Sequence, residues 1–204
     1  MKTEWDKMIQ GELYDPRVAE LDQARRKARD LLKAFNDSRP QELKRRRQLL
    51  GELFAAQPVR LWIEPPFYCD YGRNIRLGEG IFFNFNCVIL DPAPVDIGDR
   101  VLLGPNVQIY TASHPMDAAL RSAGQEFALP VRIGEDVWIG GAAVICPGVS
   151  IGARSVIGAG SVVTRDIPPD VFAAGNPCRV IRSIEPGERP AHLAQRTETD
   201  SGAL

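Results

Sequence analysis

Few side chains in this chain of 204 residues are candidates for chemistry: two histidines, His114 and His192, and four cysteines. His114 stands in YTASHPMD, with Thr111, Ser113 and Asp117 close by. An imidazole titrates near neutral pH and can take a proton from a hydroxyl, which makes His114 the candidate catalytic base. A satisfied structural histidine is the bland alternative. His192 falls in the polar stretch EPGERPAHLAQRTETDSGAL, residues 185–204, where poor order is expected. Cys69, Cys87, Cys146 and Cys178 form no CxxC pair, so they read as reduced, mostly buried thiols of a cytoplasmic protein. No cluster has metal-ligand spacing, and neither a P-loop nor a dinucleotide-binding glycine motif is present.

The elements around His114 follow from a split in composition. Valine plus isoleucine totals 3 in residues 1–60 but 26 in residues 61–181, and glycine rises from 2 to 14. The formal net charge of −1 lacks the basic excess of a nucleic-acid binder. The start MKTEWDKMIQGELYD has no apolar run of the secretory kind. The longest uncharged run, Val137–Ala153, is 17 residues with four glycines and a proline, too short and broken for a membrane helix.

Residues 1–57 read as a helical segment. Asp15-Pro16 is a helix start signal, and Val18, Leu21, Ala24, Ala28, Leu31, Leu32 and Phe35 then recur at helical spacing. Ser38 with Gln41 reads as a capping box for a second helix carrying Leu43, Leu49, Leu50, Leu53 and Phe54. Its Lys44-Arg45-Arg46-Arg47 run reads as a solvated face, because the segment holds 13 basic and 10 acidic residues. Two short helices make little core alone, so they should pack on the rest of the chain.

From Ile133 the chain reads in sixes: IGEDVW, IGGAAV, ICPGVS, IGARSV, IGAGSV, VTRDIP. Ile97, Leu103 and Ile109 begin similar hexads, as do Leu77 and Phe83, with looser turns earlier. This is a coil with a corner every six residues, its first-place aliphatics pointing inward. Ile133 should lie under Ile151 and Ile139 under Ile157, each 18 residues on. Small corner residues allow tight turning, and glycine takes backbone angles others avoid. Such repeats bury an interior only by stacking, and hexads signal a parallel β-helix, here of the left-handed triangular kind. The expected fold is therefore mainly β, a left-handed β-helix over residues 58–184 with an N-terminal α-helical segment. Residues 114–130 break the register and leave the coil as a loop, where function concentrates on a rigid scaffold. One structured histidine cannot supply the three that hold the metal in β-helical gamma carbonic anhydrases, so no metal is expected. Cys87 and Cys146 sit at positions consistent with coil packing, and a thiol nucleophile is the lesser alternative.

The segments GELYDP, EPPFYCDYG, FFNFNCVILD, YTASHP, LPVRIGEDVWIGG, VICPGVSIG, IGAGSVVTRDIP and AAGNPCRVIR together resemble the maltose and galactoside O-acetyltransferases, nodulation acetyltransferases included. The resemblance runs from about residue 4 to 183. It implies acetyl transfer from acetyl-CoA to a sugar hydroxyl at sites between subunits of a homotrimer. His114 falls on the family's catalytic histidine. Acceptor contacts carry over to Asn84 and Asp70, with Asp15 and Asp91 as further candidates; a helix cap is the other reading of Asp15. The galactoside pattern has an acidic pair where this chain reads Asp91-Pro92. The resemblance assigns Trp138, Gly141, Ala159, Thr164 and Arg165 to the coenzyme groove. Arg179 and Arg182 suit its phosphates, while packing for Trp138 and surface charge for the arginines are the plain readings. Glu126 is a candidate for orienting the loop or His114, and the helical segment should form one wall of the acceptor pocket. The rivals are an acetyltransferase for a non-sugar hydroxyl, such as an antibiotic, and a non-catalytic trimeric scaffold.

Overall fold

The computed structural model describes residues 2–56 and 59–188. The tail beyond Glu188, with His192, lies outside the described residues.

Three helices open the chain: α1 (Glu4–Ile9), α2 (Ala19–Asn36) and α3 (Leu43–Leu53). The first was not expected from periodicity, because only Met8 of its six residues is buried. Its signal is a capping box, in which Thr3 Oγ1 accepts from the Asp6 amide and Asp6 returns the bond to the Thr3 amide. Helix α2 starts at Ala19, past the Asp15-Pro16 signal, and Val18 makes no side-chain cap. Asp15 is engaged one turn earlier, accepting from the Arg17 amide at 2.9 Å and its guanidinium at 2.8 Å. Ser38 likewise caps the other helix: its hydroxyl donates to Phe35 O at 2.5 Å, closing α2, while α3 begins only at Leu43. Arg46 departs from the solvated face expected of its run. It is buried, donating to the Ser38 hydroxyl and carbonyl, with its guanidinium over the Phe35 ring.

The hexads form a three-sided parallel β-helix. The first face stacks strands Trp62–Ile63, Phe82–Phe83, Leu102–Leu103, Trp138–Ile139 and Val156–Ile157, then the terminal hairpin Val171–Gly175 and Cys178–Ser183. The second carries Phe67–Cys69, Cys87–Leu90, Gln108–Tyr110, Val144–Ile145 and Val162–Val163. The third carries Ile75–Leu77, Val95–Ile97, Val131–Ile133 and Ser150–Ile151. Ile133 pairs with Ile151 and Ile139 with Ile157, the stacking the hexads require.

The departures from the six-residue rhythm all fall on one edge. Between first and second faces, and between third and first, inward residues follow one another at six positions throughout, as in Phe83 to Ile89 and Ile97 to Leu103. Between second and third faces, Cys69 to Leu77 and Ile89 to Ile97 are 8 positions, while Ile145 to Ile151 is 6 and Val163 to Ile167 is 4. Ile109 to Ile133 is 24, because the excursion leaves here. This second edge is where the coil has room for anything besides itself.

Glycine serves coil spacing more than unusual angles. At the corners the left-handed conformation is taken by Asn106, Asp136, Arg154 and Asp170, with φ of 60°, 57°, 61° and 59°. Asn and Asp tolerate that region, and Asp136, Arg154 and Asp170 join Arg100 in an ionic seam on the third edge. Arg100 grips Asp136 at 2.6 and 2.8 Å, and Arg154 grips Asp170 at the same distances. By contrast, a Cβ on Gly98 would lie 2.7 Å from the Glu135 amide nitrogen of the next coil, and one on Gly134 2.6 Å from that of Ala153.

The helices close the top. Leu32, Phe35, Leu50, Leu53 and Phe54 join one apolar core with Ile63, Phe67 and Phe83. Asn36 extends the second face, its amide donating to Phe67 O at 3.0 Å and accepting from Phe67 N at 2.9 Å, which satisfies an exposed strand edge.

Gly98→Ala is expected to destabilise the fold by about 1–3 kcal/mol, the scale of overpacking. Gly160→Ala, with open space around its Cβ but a φ of +69°, should cost only the left-handed strain of about 1–2 kcal/mol. Denaturant melts of both variants check the ordering.

Candidate active site

The second edge carries His114. The excursion leaves the coil as Ala112–Ser113, which pairs antiparallel with Phe127–Ala128, so it is a ribbon with a short helix, α4 (Ala118–Ser122), at its far end. Thr111 is buried at the point of departure. Its hydroxyl donates to Leu90 O and accepts from the Ala93 amide, both at 2.9 Å, fixing the ribbon to the coil above. Asp117 caps α4 through the Leu120 amide. Thr111 and Asp117 thus build the excursion that presents His114, which is itself exposed.

His114 lines a cleft of about 370 Å³ shared with Ala112, Pro92, Asp70, Tyr71 and Glu126. The opposite wall is Tyr14, Pro16, Arg17 and Arg25 from the helical segment, as expected of that segment. Arg25 ties this wall to the other, donating to the Tyr71 hydroxyl at 2.9 Å and to Pro16 O at 2.7 Å. Arg17 donates to Ala123 O at 3.2 Å, tying the wall to the excursion. Burial raises the Asp70 carboxyl above the usual range, with Arg25 and Arg29 opposing the shift.

Asp91 has a different task. It is fully buried beneath the cleft and does not line it. Its Oδ1 accepts from the amides of Asp70 at 3.0 Å and Tyr71 at 2.9 Å, and its own carbonyl accepts from Asn74 at 2.7 Å. Asp91 therefore brackets the two extra residues of the widened corner and so aims Asp70 and Tyr71 outward. Its Oδ2 has no hydrogen-bond partner among the described residues, and burial pushes the carboxyl up to about 7. Asp15 is held by Arg17 outside the cleft lining.

The remaining candidates divide between edges. Asn84, Gly141 and Ala159 lie on the first edge, and Trp138 precedes it, 53% exposed on the first face. Thr164 and Arg165 are exposed at the second edge, below His114. Asn84 uses its Oδ1 on the Phe85 amide at 2.8 Å. A Cβ on Gly141 would meet Pro105 O at 3.1 Å, so this glycine also serves the coil. Arg179 lies opposite Ala174 on the hairpin, and Arg182 pairs with Glu188 at 2.6 Å. Within one chain His114 meets Asp70, while Asn84 and the first-edge residues stand round a corner from it.

Tyr14, Arg25, Tyr71 and Pro92 were not singled out from sequence, although GELYDP and YCDYG flagged two of their neighbourhoods. Burial raises all four thiols, Cys87 to about 11 and Cys69 well above its ordinary value, which makes them poor nucleophiles. Among the described residues no three His, Cys, Asp or Glu are grouped to hold a metal ion, and no helix is long and apolar enough to cross a membrane.

Comparison with known proteins identifies this arrangement. Residues 7–57 match the maltose acetyltransferase hexapeptide capping motif, and residues 130–165 the bacterial transferase hexapeptide of six repeats. The chain is 47% identical over 174 residues to the galactoside O-acetyltransferase of Escherichia coli K12, covering 85% of this chain and 86% of that protein. Its structure resembles a maltose O-acetyltransferase from Clostridium difficile 630, with a TM-score of 0.89 and 48% identity over 90% of this chain and 98% of that one. It also resembles a galactoside acetyltransferase in complex with coenzyme A, with a TM-score of 0.86 and 44% identity over 91% and 92% of the two chains. The fold is that of a hexapeptide-repeat acyltransferase. The chain belongs to the maltose/galactoside O-acetyltransferase family.

A carboxyl whose pKa rises on folding binds more protons folded than unfolded, so Asp91 makes stability fall as pH rises from about 4 to about 7. Asp91→Asn keeps an oxygen for the two amides and loses this slope. Its melting temperature relative to the parent protein should climb across that window and level off above it. Parallel pH profiles would mean that Asp91 is ionised throughout.

Proposed function

We propose that the chain moves the acetyl group of acetyl-CoA to a hydroxyl of a sugar, with His114 as general base in a direct transfer. The observation that carries this is the cleft itself, in which an exposed imidazole sits among Asp70, Tyr71, Arg25 and Glu126, groups that accept from or donate to hydroxyls. An imidazole nitrogen takes the acceptor's proton as its oxygen attacks the thioester carbonyl. The tetrahedral intermediate collapses with cleavage of the C–S bond, and the proton passes from the imidazolium to the leaving thiolate. The raised thiol pKa values argue against an acetyl-cysteine intermediate.

Asn84 and His114 occupy different edges of the prism, so a site that uses both draws them from two chains. A homotrimer, with the second edge of one subunit against the first edge of the next, supplies that pairing. It also brings Gly141, Ala159 and the neighbouring Trp138 alongside Thr164 and Arg165 as a coenzyme groove, with Arg179 and Arg182 toward its phosphate end. The four free thiols agree with a cytoplasmic setting.

Acetyl-CoA consumption with maltose, glucose, galactosides and chitin fragments tests the activity; turnover only with a drug hydroxyl would sink the sugar reading. His114→Ala should lower the rate about 100- to 10,000-fold, the scale of a positioned base. Mixing and reassembling inactive His114→Ala and Asn84→Ala chains should restore activity, because some interfaces then carry both native residues. No restoration from verified mixed oligomers would confine the site to one chain.

A further inference from the structure

Tyr14 and Glu126 join two segments far apart in the chain. Their backbones form an antiparallel bridge, Tyr14 N–H to Glu126 O at 3.0 Å and Glu126 N–H to Tyr14 O at 3.2 Å. The Tyr14 phenol donates to Glu126 Oε2 at 2.9 Å. The ring is 1% exposed in a cluster with Met8, Leu21 and Tyr71, so it is held by α1 and α2 and cannot swing away on its own. Burial, reinforced by the Glu126 charge, raises the phenol's pKa and keeps it a donor. Glu126 Oε1 accepts no hydrogen bond from the described residues, and Glu126 lines the cleft with His114. The partner of Glu126 is thus Tyr14, and not His114.

We propose that Tyr14 is a positioning residue, clamping Glu126 so that its second carboxylate oxygen reads a further hydroxyl of the acceptor. This rests on the acetyl-transfer reading and narrows it: the acceptor is a polyol that donates a second hydroxyl while the first reacts. An ionised carboxylate oxygen only accepts. A deoxy carbon at that place leaves it unpaired in a part-buried cleft, and a clamped carboxylate cannot turn to water.

The probes are the sugar the parent enzyme acetylates best, from glucose, maltose and galactosides, and its monodeoxy analogues, at saturating acetyl-CoA. For one analogue kcat/KM should fall about 10- to 100-fold, the scale of a hydrogen bond to a charged acceptor. Glu126→Ala should shrink that discrimination to about 1- to 3-fold, and Glu126→Gln, which retains one accepting oxygen, should fall between. Tyr14→Phe keeps the packed ring; it should weaken the same discrimination and raise sugar KM more than it lowers kcat, with KM for acetyl-CoA unmoved. Parent-like discrimination for every analogue in Glu126→Ala overturns the proposal while acetyl transfer stands. Parent-like sugar KM and discrimination in Tyr14→Phe reduce Tyr14 to packing. If the parent enzyme acetylates none of the sugars, the sugar reading falls and the proposal with it.

Discussion

Everything in this molecule depends on how closely one coil can lie on the next. Neighbouring strands of a sheet are about 4.8 Å apart, and the hexad repeats that spacing on three faces at once. It leaves no room for a Cβ at Gly98, Gly104 or Gly134, where one would fall 2.5–2.7 Å from a backbone nitrogen of the adjacent coil. It also stacks like on like, so Ile97, Ile133 and Ile151 form one buried column down the third face. A scaffold under such a constraint tolerates variation only where the chain turns away from the stack. Two of its three edges admit none in the count of residues.

The site exists because the remaining edge does. Two extra residues in each of two successive coils push Asp70 and Tyr71 outward and create space over Asp91. A widened corner would leave backbone amides unpaired, and a buried amide without a partner is costly. Asp91 and Thr111 answer that need from inside the edge, and Asn74 pairs the Asp91 carbonyl. The next coil at the same edge releases the ribbon that carries His114, and the helical segment comes down on top. Arg25, Arg17 and Tyr14 then fasten the pieces of the cleft, Arg25 the corner and Arg17 and Tyr14 the ribbon. The helices are therefore a cap for the apolar core at Phe54, Phe67 and Phe83 and, equally, a wall of the cleft.

Much of the fold was legible because the repeat is a local property. Inward isoleucines, tight corners and the break after His114 all follow from a period counted along the chain, and a solenoid needs little else. The helix boundaries were less legible. Asp15 and Ser38 are both good N-cap residues by type, yet one binds Arg17 and the other closes the helix before it. Arg46 looked like solvent charge and lies buried on Phe35 because Ser38 offers it two acceptors. Each choice was made by a partner that composition does not reveal.

The residues of the site divide in the same way. Sequence by itself determined that a parallel coil forms, that its register breaks close to His114, and that this chain carries the motifs of a sugar acetyltransferase, because period and motif are written in consecutive residues. Only the tertiary structure decided that Asp91 is a bracket beneath the cleft, that Glu126 answers to Tyr14, and that Asn84 and His114 stand on separate edges. Those facts depend on which coil, corner or helix comes to lie beside which, over separations such as the 112 positions between Tyr14 and Glu126. Contacts of that kind are fixed by packing and by the need to pair buried polar groups, and both are satisfied only once the whole stack has closed.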